Sequence, residues 1–223
     1  MMKVHGNPCT VNSRKVLWAL EELGRAYTLN LIDLAKNEQK EPGFLALNPN
    51  GRMPVIEDEG LVLYESTAIL LYLCEAPAAV SLLPTERVQR AHVYQWLSWQ
   101  TSDLSPAFVQ PFLMRFNAIF GAPFDEAAHR KHLERTAQVL RLLDAHLAGR
   151  RFMVGPGFSL ADIALAESVA MADDAGMGLT PYNHVRAWLE PLFERPAFQK
   201  TRFNGNAFVQ AVPHFTAAVR GAA

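Results

Sequence analysis

The stretch Asn48-Pro49-Asn50-Gly51-Arg52-Met53-Pro54-Val55-Ile56 decides the fold of the first part of the chain. A polar turn ends here in Pro54, which starts an apolar strand. Proline donates no backbone hydrogen bond, so it suits a strand edge or a cis turn. If the Met53–Pro54 bond is cis, the Met53 backbone is left unpaired, and an extended peptide can dock on it. An ordinary loop-to-strand junction is the alternative, but the position before a β-hairpin favours a docking edge.

Strand-like and helix-like patterns alternate on both sides of this turn. Strands are predicted at 3–5, 27–32, 54–58 and 61–64. Glu59-Gly60 forms the tight turn between the last two strands. Helices are predicted at 13–23, 42–47 and 67–74. The resulting order, β-α-β-α-β-β-α, indicates an α/β thioredoxin-like N-terminal domain over residues 1–76.

The pattern changes after a Pro- and Ala-rich segment, 77–86, which is predicted to be a linker. Beyond it almost no strand signal is found. Helices are predicted at 87–103, 124–147, 159–175 and 185–194. We therefore predict that residues 87–223 form an all-α helical domain.

Composition excludes several function classes. The 21 basic and 22 acidic side chains give a net charge of -1, whereas nucleic-acid and anionic-membrane partners normally require a basic excess. Two cysteines are too few for a disulfide framework, which favours a reducing compartment. The sequence starts without an apolar signal segment, and no stretch is long enough to span a bilayer. A cytoplasmic protein with no membrane or nucleic-acid partner is expected.

Tyr64-Glu65-Ser66-Thr67 opens an apolar helix and carries a candidate binding site. A serine at a helix start leaves free amides and a hydroxyl at the positive end of the helix dipole, which binds a carboxylate. Glu65 beside it can take an ammonium group, so the pair can hold an α-amino acid. Ser66 can serve as an ordinary N-cap at the same time.

The loop from Asn7 to Val16 supplies candidates for thiol chemistry. A hydroxyl near a helix N-terminus can donate a hydrogen bond to a bound thiolate and lower its pKa from about 8.5. Thr10, Asn12, Ser13 and Cys9 lie close enough to do so. A helix cap is the preferred role for Ser13, and Cys9 is equally well explained as a small buried residue.

These three segments, in this order and spacing, resemble the glutathione transferase superfamily. Ser159-Leu160-Ala161-Asp162 resembles the family's structural box, which implies folding stability and not catalysis. The resemblance implies a homodimer that uses glutathione as co-substrate and needs no cofactor. It also implies that Met53, before Pro54, pairs through its backbone with the cysteinyl part of glutathione. Glu65 and Ser66 would then hold the γ-glutamyl end, with Arg52 and Gln39 or Lys40 near the glycine carboxylate.

The residue that serves the sulfur is left open between three candidates. By its position, Thr10 resembles the catalytic serine of theta- and phi-type enzymes, and Cys9 the cysteine of beta-type enzymes. Asn12 is the third candidate. Thr10 is preferred, since threonine offers the same hydroxyl, although its extra methyl group restricts the rotamer. Conjugation of glutathione to a small hydrophobic electrophile is the leading hypothesis. The alternatives are a glutathione-dependent disulfide oxidoreductase that uses Cys9 and a non-catalytic binding protein.

Phe108, Phe112, Phe116 and Phe120 follow one another at helical spacing. Such a stripe is typical of core or interface, but the resemblance implies a hydrophobic substrate site in this region. Phe108, Phe112 and Phe116 are the candidates for it. His129 and His132 are also three apart on a predicted helix, but no third ligand has suitable spacing, so no metal site is predicted.

Overall fold

A computed structural model describes residues 1–76, 81–119, 121–174 and 178–202. The first part holds a four-stranded sheet in the order β2-β1-β3-β4. Its strands are β1 (Met2–Gly6), β2 (Tyr27–Leu31), β3 (Val55–Asp58) and β4 (Leu61–Tyr64). β1 and β2 are parallel, and β3 pairs antiparallel with both β1 and β4. The helices between them are α1 (Val11–Glu22), α2 (Pro42–Leu47) and α3 (Ser66–Glu75). The predicted thioredoxin-like order is confirmed.

The hairpin between β3 and β4 closes as its sequence predicts. Glu59 and Gly60 both have positive φ, 50° and 89°. Two positive φ angles in a two-residue loop match the twist of the flanking strands. This turn fixes the register in which Val55 lies opposite Tyr64, next to the start of α3.

Two helices of the sheet domain begin earlier than their patterns predict. Thr10 is the N-cap of α1, because its side chain accepts a hydrogen bond from the Ser13 N–H at 3.3 Å. The prediction that Ser13 caps this helix is therefore wrong; Ser13 is fully buried in the first turn. In α3 the N-cap position belongs to Glu65, and Ser66 is the first helical residue.

In the second part, every regular element described after residue 86 is a helix. This part comprises α4 (Arg87–Trp99), a π-helical turn (Gln100–Leu104), α5 (Ser105–Ile119), α6 (Glu126–Leu147), α7 (Leu160–Asp174), α8 (Asn183–Phe193) and α9 (Pro196–Thr201). The predicted all-α class is confirmed. α5 was missed, because Pro111 lies inside it and interrupts the helical pattern. Of the predicted linker, residues 77–80 lie outside the described residues, as do 203–223 of the predicted helical domain.

α1 joins the two parts through a shared core. Trp18 is fully buried, and its ring lies 5.8 Å from that of Phe158 and 4.9 Å from that of Phe198. Arg195 donates from two nitrogens to the Glu22 carboxylate, each at 2.6 Å. One face of α1 therefore packs against the helical part, and its N-terminus lies where both parts meet.

The Ser159–Asp162 segment closes the start of α7 with buried hydrogen bonds. The Asp162 carboxylate accepts from the Ser159 N–H at 3.0 Å, the Met153 N–H at 2.8 Å and the Trp188 indole N–H at 3.0 Å. The Ser159 hydroxyl donates to it as well, at 3.0 Å. Burial raises the pKa of Asp162, and these bonds oppose the rise. In the part of the chain that is described, no helix is long and apolar enough to cross a membrane.

Candidate active site

A cleft of about 330 Å³ lies between the start of α1, the loop before β3 and the start of α3. It is lined by Thr10, Asn12, Leu34, Gln39, Asn48, Gly51, Arg52, Met53, Pro54, Glu65 and Ser66. Most of the site residues predicted from the sequence therefore meet in one place. Leu34, Asn48 and Gly51 were missed, and Cys9 and Lys40 are not among the lining residues.

The loop before β3 presents an open backbone to the cleft. The Met53–Pro54 bond is cis. Neither the N–H nor the C=O of Met53 has a hydrogen-bond partner among the described residues. The buried Asn48 side chain holds the loop: its amide donates to the Arg52 carbonyl at 2.6 Å, and its oxygen accepts from the Asn50 N–H at 3.0 Å. The main chain of Met53 is thus available to a docked peptide.

Gly51 allows this loop to approach the segment that carries Gln39. Its φ is 59°, and a Cβ there would lie 2.8 Å from the Gln39 carbonyl oxygen. Any larger residue would have to push the two segments apart. A glycine after two polar residues is a common turn signal, so the sequence alone gave no reason to assign Gly51 to the site.

The start of α3 forms the opposite wall. Glu65 has φ 69° and ψ 111°, a conformation that costs a non-glycine residue about 1–3 kcal/mol. Its side chain is exposed, whereas Ser66 is 8% exposed. The first N–H groups of a helix have no intrahelical partner, and the helix dipole adds positive charge there. An anion and a cation can thus be held side by side at this helix start.

Thr10 uses its hydroxyl within its own loop. The Thr10 oxygen lies 3.0 Å from the Asn7 carbonyl and 2.8 Å from the Ser13 hydroxyl, both in donor geometry. A hydroxyl has one proton, so it serves one of these acceptors at a time. A bond from Thr10 to a substrate sulfur would replace a bond that already exists.

Asn12 presents a different pattern. Its side chain is exposed, and its Oδ1 accepts from the Lys15 ammonium at 2.9 Å and from the Ser66 hydroxyl at 3.3 Å. The Nδ2 group has no partner among the described residues. Asn12 thereby links the start of α1 to the start of α3 and keeps two N–H donors for a ligand in the cleft.

A buried polar cluster lies directly behind Asn12. The Arg14 guanidinium pairs with the Glu167 carboxylate of α7 at 2.7 Å, and both side chains are buried. Lys15, 2% exposed, also donates to the Gln100 side-chain oxygen at 2.9 Å. Burial lowers the pKa of Lys15 to about 7; Glu167 raises it in part, and Arg14 lowers it further. Lys15 was not predicted from the sequence, where a lysine on a helix indicates a solvent-exposed face.

Cys9 lies beside the cleft rather than in it. Its thiol is half-buried, and its N–H donates to the Asn7 side-chain oxygen at 3.0 Å. Burial raises the pKa of the Cys9 thiol, and the nearby Arg14 charge offsets only part of this rise. The thiolate, which is the nucleophilic form of cysteine, is therefore disfavoured at neutral pH.

Arg52 lies in the loop before β3, and Gln39 and Lys40 lie on a 3-10 turn, Glu38–Lys40, which this loop approaches at Gly51. The Gln39 side-chain oxygen is buried and has no partner among the described residues. Arg52 is exposed and lines the cleft. The Lys40 ammonium donates to the Asn50 carbonyl at 3.3 Å, outside the lining. Arg52 can therefore reach a ligand from this end, and the Lys40 ammonium keeps two further N–H donors beside the lining residue Gly51.

Neither Phe108 nor Phe112 of the phenylalanine stripe is among the residues that line the cleft. Phe108 is fully buried in the shared core, so protein atoms surround its side chain and a substrate cannot contact it. Phe112 is half-buried on the next turn of α5. The side chain of Phe116 lies outside the described residues, as does Phe120.

The two histidines singled out on the sequence lie on the first turns of α6. The ring of His129 lies 5.0 Å from that of Phe124. Over the described ranges, no group of three or more His, Cys, Asp or Glu side chains could hold a metal ion.

Family models cover both parts of the chain. The glutathione S-transferase N-terminal domain matches residues 11–76, and the glutathione S-transferase C-terminal domain matches residues 102–196. The first match contains most of the cleft, including Asn12, Met53 and Ser66. The second match contains α5 and α7.

Relatives of similar length share about a third of the sequence. Glutathione S-transferase 3 of Zea mays is 35% identical over 206 residues, which cover 90% of this chain and 92% of the relative. A disulfide-bond oxidoreductase of Escherichia coli (strain K12) is 34% identical over 195 residues, 84% of this chain and 88% of the relative.

A solved structure gives the same result for the fold. A glutathione transferase from Pseudomonas putida, with one glutathione disulfide bound per subunit, superimposes with a TM-score of 0.83 at 31% identity. The superposition covers 90% of each chain. Together with the family models and the sequence relatives, it establishes that the chain belongs to the glutathione S-transferase family of enzymes.

Proposed function

We propose that this protein binds glutathione in the cleft, ionises its thiol and conjugates the thiolate to a small hydrophobic electrophile. The observation that carries the proposal is the meeting of three complementary features in one cleft. They are the unpaired Met53 main chain, the open helix start at Glu65 and Ser66, and the free Asn12 amide. Glutathione has a matching part for each: a peptide main chain, an α-amino acid end and a thiol.

Each end of glutathione has a defined place in this proposal. The cysteinyl main chain pairs with the N–H and C=O of Met53 as an added strand. The γ-glutamyl carboxylate accepts from the first N–H groups of α3, that of Ser66 among them, and its ammonium pairs with Glu65. The glycine carboxylate lies toward Arg52, with the Gln39 amide N–H₂ group and the Lys40 ammonium as the nearby donors.

Asn12 is the group we assign to the sulfur, with Thr10 as the cap that holds the loop. The Asn12 N–H donors are unused, whereas the Thr10 proton already has two acceptors within reach. A hydrogen bond to a thiolate stabilises the charged form and lowers the thiol pKa. The thiol proton leaves to solvent on binding. The thiolate then attacks the electrophilic carbon, a C–S bond forms, and the leaving group departs with its electron pair.

The assignment is tested with Asn12→Ala and Thr10→Ser. The first removes the donor, and the second keeps both the hydroxyl and the cap. For Asn12→Ala we expect the pKa of bound glutathione, read from its thiolate absorbance, to rise by about one unit. The kcat/KM for an aryl halide should then fall about tenfold. Thr10→Ser should stay within about twofold of the wild type.

Calorimetry with S-methylglutathione, which has no thiol to ionise, separates binding from activation. Its affinity for Asn12→Ala should equal that for the wild type, because the main-chain and terminal contacts are intact. Failure of the wild type to bind glutathione would overturn the whole proposal. If the pKa of bound glutathione in Asn12→Ala stays as low as in the wild type, the role at the sulfur returns to Thr10.

Disulfide reduction is a second candidate, and the Escherichia coli relative named as a disulfide-bond oxidoreductase favours it. In this reaction the thiolate of bound glutathione attacks a disulfide sulfur. A new S–S bond forms, and the other sulfur leaves as a thiolate. Cys9 is poorly suited to the attack, because burial raises its pKa and it lies outside the cleft lining. We expect Cys9→Ser to keep any reductase activity, and mass spectrometry after treatment with glutathione disulfide to find no adduct on Cys9. An adduct at neutral pH would restore Cys9 as the redox thiol.

The remaining assignments follow from family membership. We infer a homodimer in the cytoplasm and a detoxifying role. We also infer a division into a glutathione-binding domain (1–76), a linker (77–86) and a helical domain (87–223). The helical domain would supply the electrophile site from Phe112 and Phe116, since Phe108 is buried. Light scattering of the purified protein tests the dimer. Replacement of Phe112 by Ala tests the electrophile site, through a higher KM for the aryl halide at an unchanged KM for glutathione.

A further inference from the structure

Lys15 is a buried cation that packing does not explain. Its side chain is 2% exposed, and no carboxylate lies within ion-pair distance of its ammonium group among the described residues. Its two hydrogen-bond partners are amide oxygens, of Asn12 and Gln100, each at 2.9 Å. Burying an ammonium group without an ion pair is costly, and a methionine would fill similar space without that cost. The position of Lys15 therefore suggests a role outside stability.

The bond to Asn12 decides which way the Asn12 amide faces. A protonated lysine side chain carries only donors, so the atom that meets it must be the Asn12 oxygen. The Ser66 hydroxyl meets the same oxygen at 3.3 Å. Since the amide is planar, an oxygen held by Lys15 and Ser66 fixes the N–H₂ group as well and leaves it unpaired at a residue that lines the cleft.

We propose that Lys15 is a positioning residue of the glutathione site, which fixes the Asn12 amide with its N–H₂ group toward the substrate sulfur. The proposal rests on the assignment of Asn12 made above. Without Lys15, the Asn12 side chain could rotate and offer its oxygen, which repels a thiolate. Lys15 then acts through Asn12 and never touches the substrate.

Gln100 anchors Lys15 to the helical part of the molecule. It lies at the first position of the π-helical turn and is 1% exposed. Its Nε2 donates to the hydroxyls of Ser168 on α7, at 2.9 Å, and Ser105 on α5. These bonds leave its oxygen for Lys15. The orientation of Asn12 is thereby tied to the packing of α5 and α7, and π-helical turns recur at functional sites.

Lys15 can keep both bonds in either protonation state. Arg14 and Glu167 are the charged groups that act on it, and burial holds its pKa at about 7. A neutral amine still carries two N–H donors, one for each amide oxygen, but it also has a lone pair that can accept from an amide N–H. The orientation of Asn12 is therefore fixed most strictly while Lys15 is protonated.

The first test needs no ligand, and it uses alanine variants only to assign the signals. In ¹⁵N-labelled free protein, side-chain relaxation compares Asn12 with Asn183. Both are exposed, but Asn183 has no side-chain hydrogen bond among the described residues. We expect the Asn12 side chain to be rigid and that of Asn183 to be mobile, with each signal assigned by its loss in the alanine variant. Equal mobility would overturn the proposal, whether or not glutathione binds.

The second test is a double-mutant cycle with Lys15→Met and Asn12→Ala. Lys15→Met alone should lower kcat/KM about tenfold, the equivalent of one hydrogen bond, and should make the Asn12 side chain mobile. In the Asn12→Ala background, Lys15→Met should change kcat/KM by less than about twofold. The same loss in both backgrounds would show a merely structural effect and overturn the proposal. If the wild type fails to bind glutathione, the proposed function falls, and the relaxation comparison still decides the role of Lys15.

Discussion

The first turns of α1 and α7 carry similar residues that have different roles. Each has a hydroxyl residue at the helix start, followed two or three residues later by Asn12 or Asp162. At α7 every acceptor of Asp162 is used within the protein, and the side chain is fully buried. At α1 only the oxygen of Asn12 is used, and the side chain is exposed to the cleft.

The difference shows that saturation and access separate a structural cap from a binding group. A buried polar group with all its bonds made stabilises the fold and has nothing to offer a ligand. A polar group held on one side and open on the other is both oriented and available. The variants below are chosen to break one start at a time.

Asp162→Ala should have the largest effect. It leaves the N–H groups of Met153, Ser159 and Trp188 without an acceptor in the core. The free energy of unfolding should fall by about 3–5 kcal/mol, because each buried donor without a partner costs about 1–3 kcal/mol. Urea unfolding measures this loss.

Ser159→Ala is the matched control, since it removes one bond to Asp162 and leaves the carboxylate in place. Its loss should be about 1 kcal/mol. Under conditions in which both variants are fully folded, their affinity for glutathione should equal that of the wild type. An Asp162→Ala loss no larger than that of Ser159→Ala would contradict the view that α7 is a saturated buried cap.

Lys15 should give the next largest effect, as a pH dependence of stability. Its pKa is about 7 in the folded protein and near 10.4 when unfolded. Between these values the unfolded chain binds a proton that the folded protein lacks, so stability rises with pH. The slope due to Lys15 reaches about 1.4 kcal/mol per pH unit and vanishes above the unfolded pKa.

Other groups also titrate in this range, so the measured quantity is the difference between wild type and Lys15→Met. Urea unfolding at pH 7, 8 and 9 should show the wild type gaining stability relative to the variant at each step. Parallel curves would mean that Lys15 is protonated in the folded protein at all three pH values.

Thr10→Ala should have the smallest effect. It removes the N-cap of α1, which costs about 1 kcal/mol of stability. Because Asn12 serves the sulfur in our assignment, kcat/KM should fall much less than in Asn12→Ala. Thermal unfolding and the aryl halide assay on the two variants make this comparison. A larger fall in kcat/KM for Thr10→Ala than for Asn12→Ala would mean that the Thr10 hydroxyl, and not the Asn12 amide, serves the sulfur.

Local patterns predicted much of the fold and of the site. Glu59-Gly60 closes the hairpin because Gly60 has no Cβ and adopts φ 89° readily, although Glu59 at φ 50° carries a steric cost. That Met53, Glu65 and Ser66 share one site was implied by the resemblance of their segments to the glutathione transferase superfamily, and all three line the cleft. The cap of α1 was misplaced from Thr10 to Ser13, because both are hydroxyl residues and only the backbone angles distinguish them.

The sequence by itself determined the two-part α/β and all-α architecture and the loop and helix starts that build the cleft. Periodicity and turn chemistry are local properties, so they can be read from neighbouring residues. Only the tertiary structure decided that Lys15 is buried behind Asn12 and that Phe108 lies in the core. Those outcomes depend on α5, α7 and the π-helical turn, whose residues are 85 or more positions from Lys15. Burial and partner choice across such distances are set by packing, which no local pattern contains.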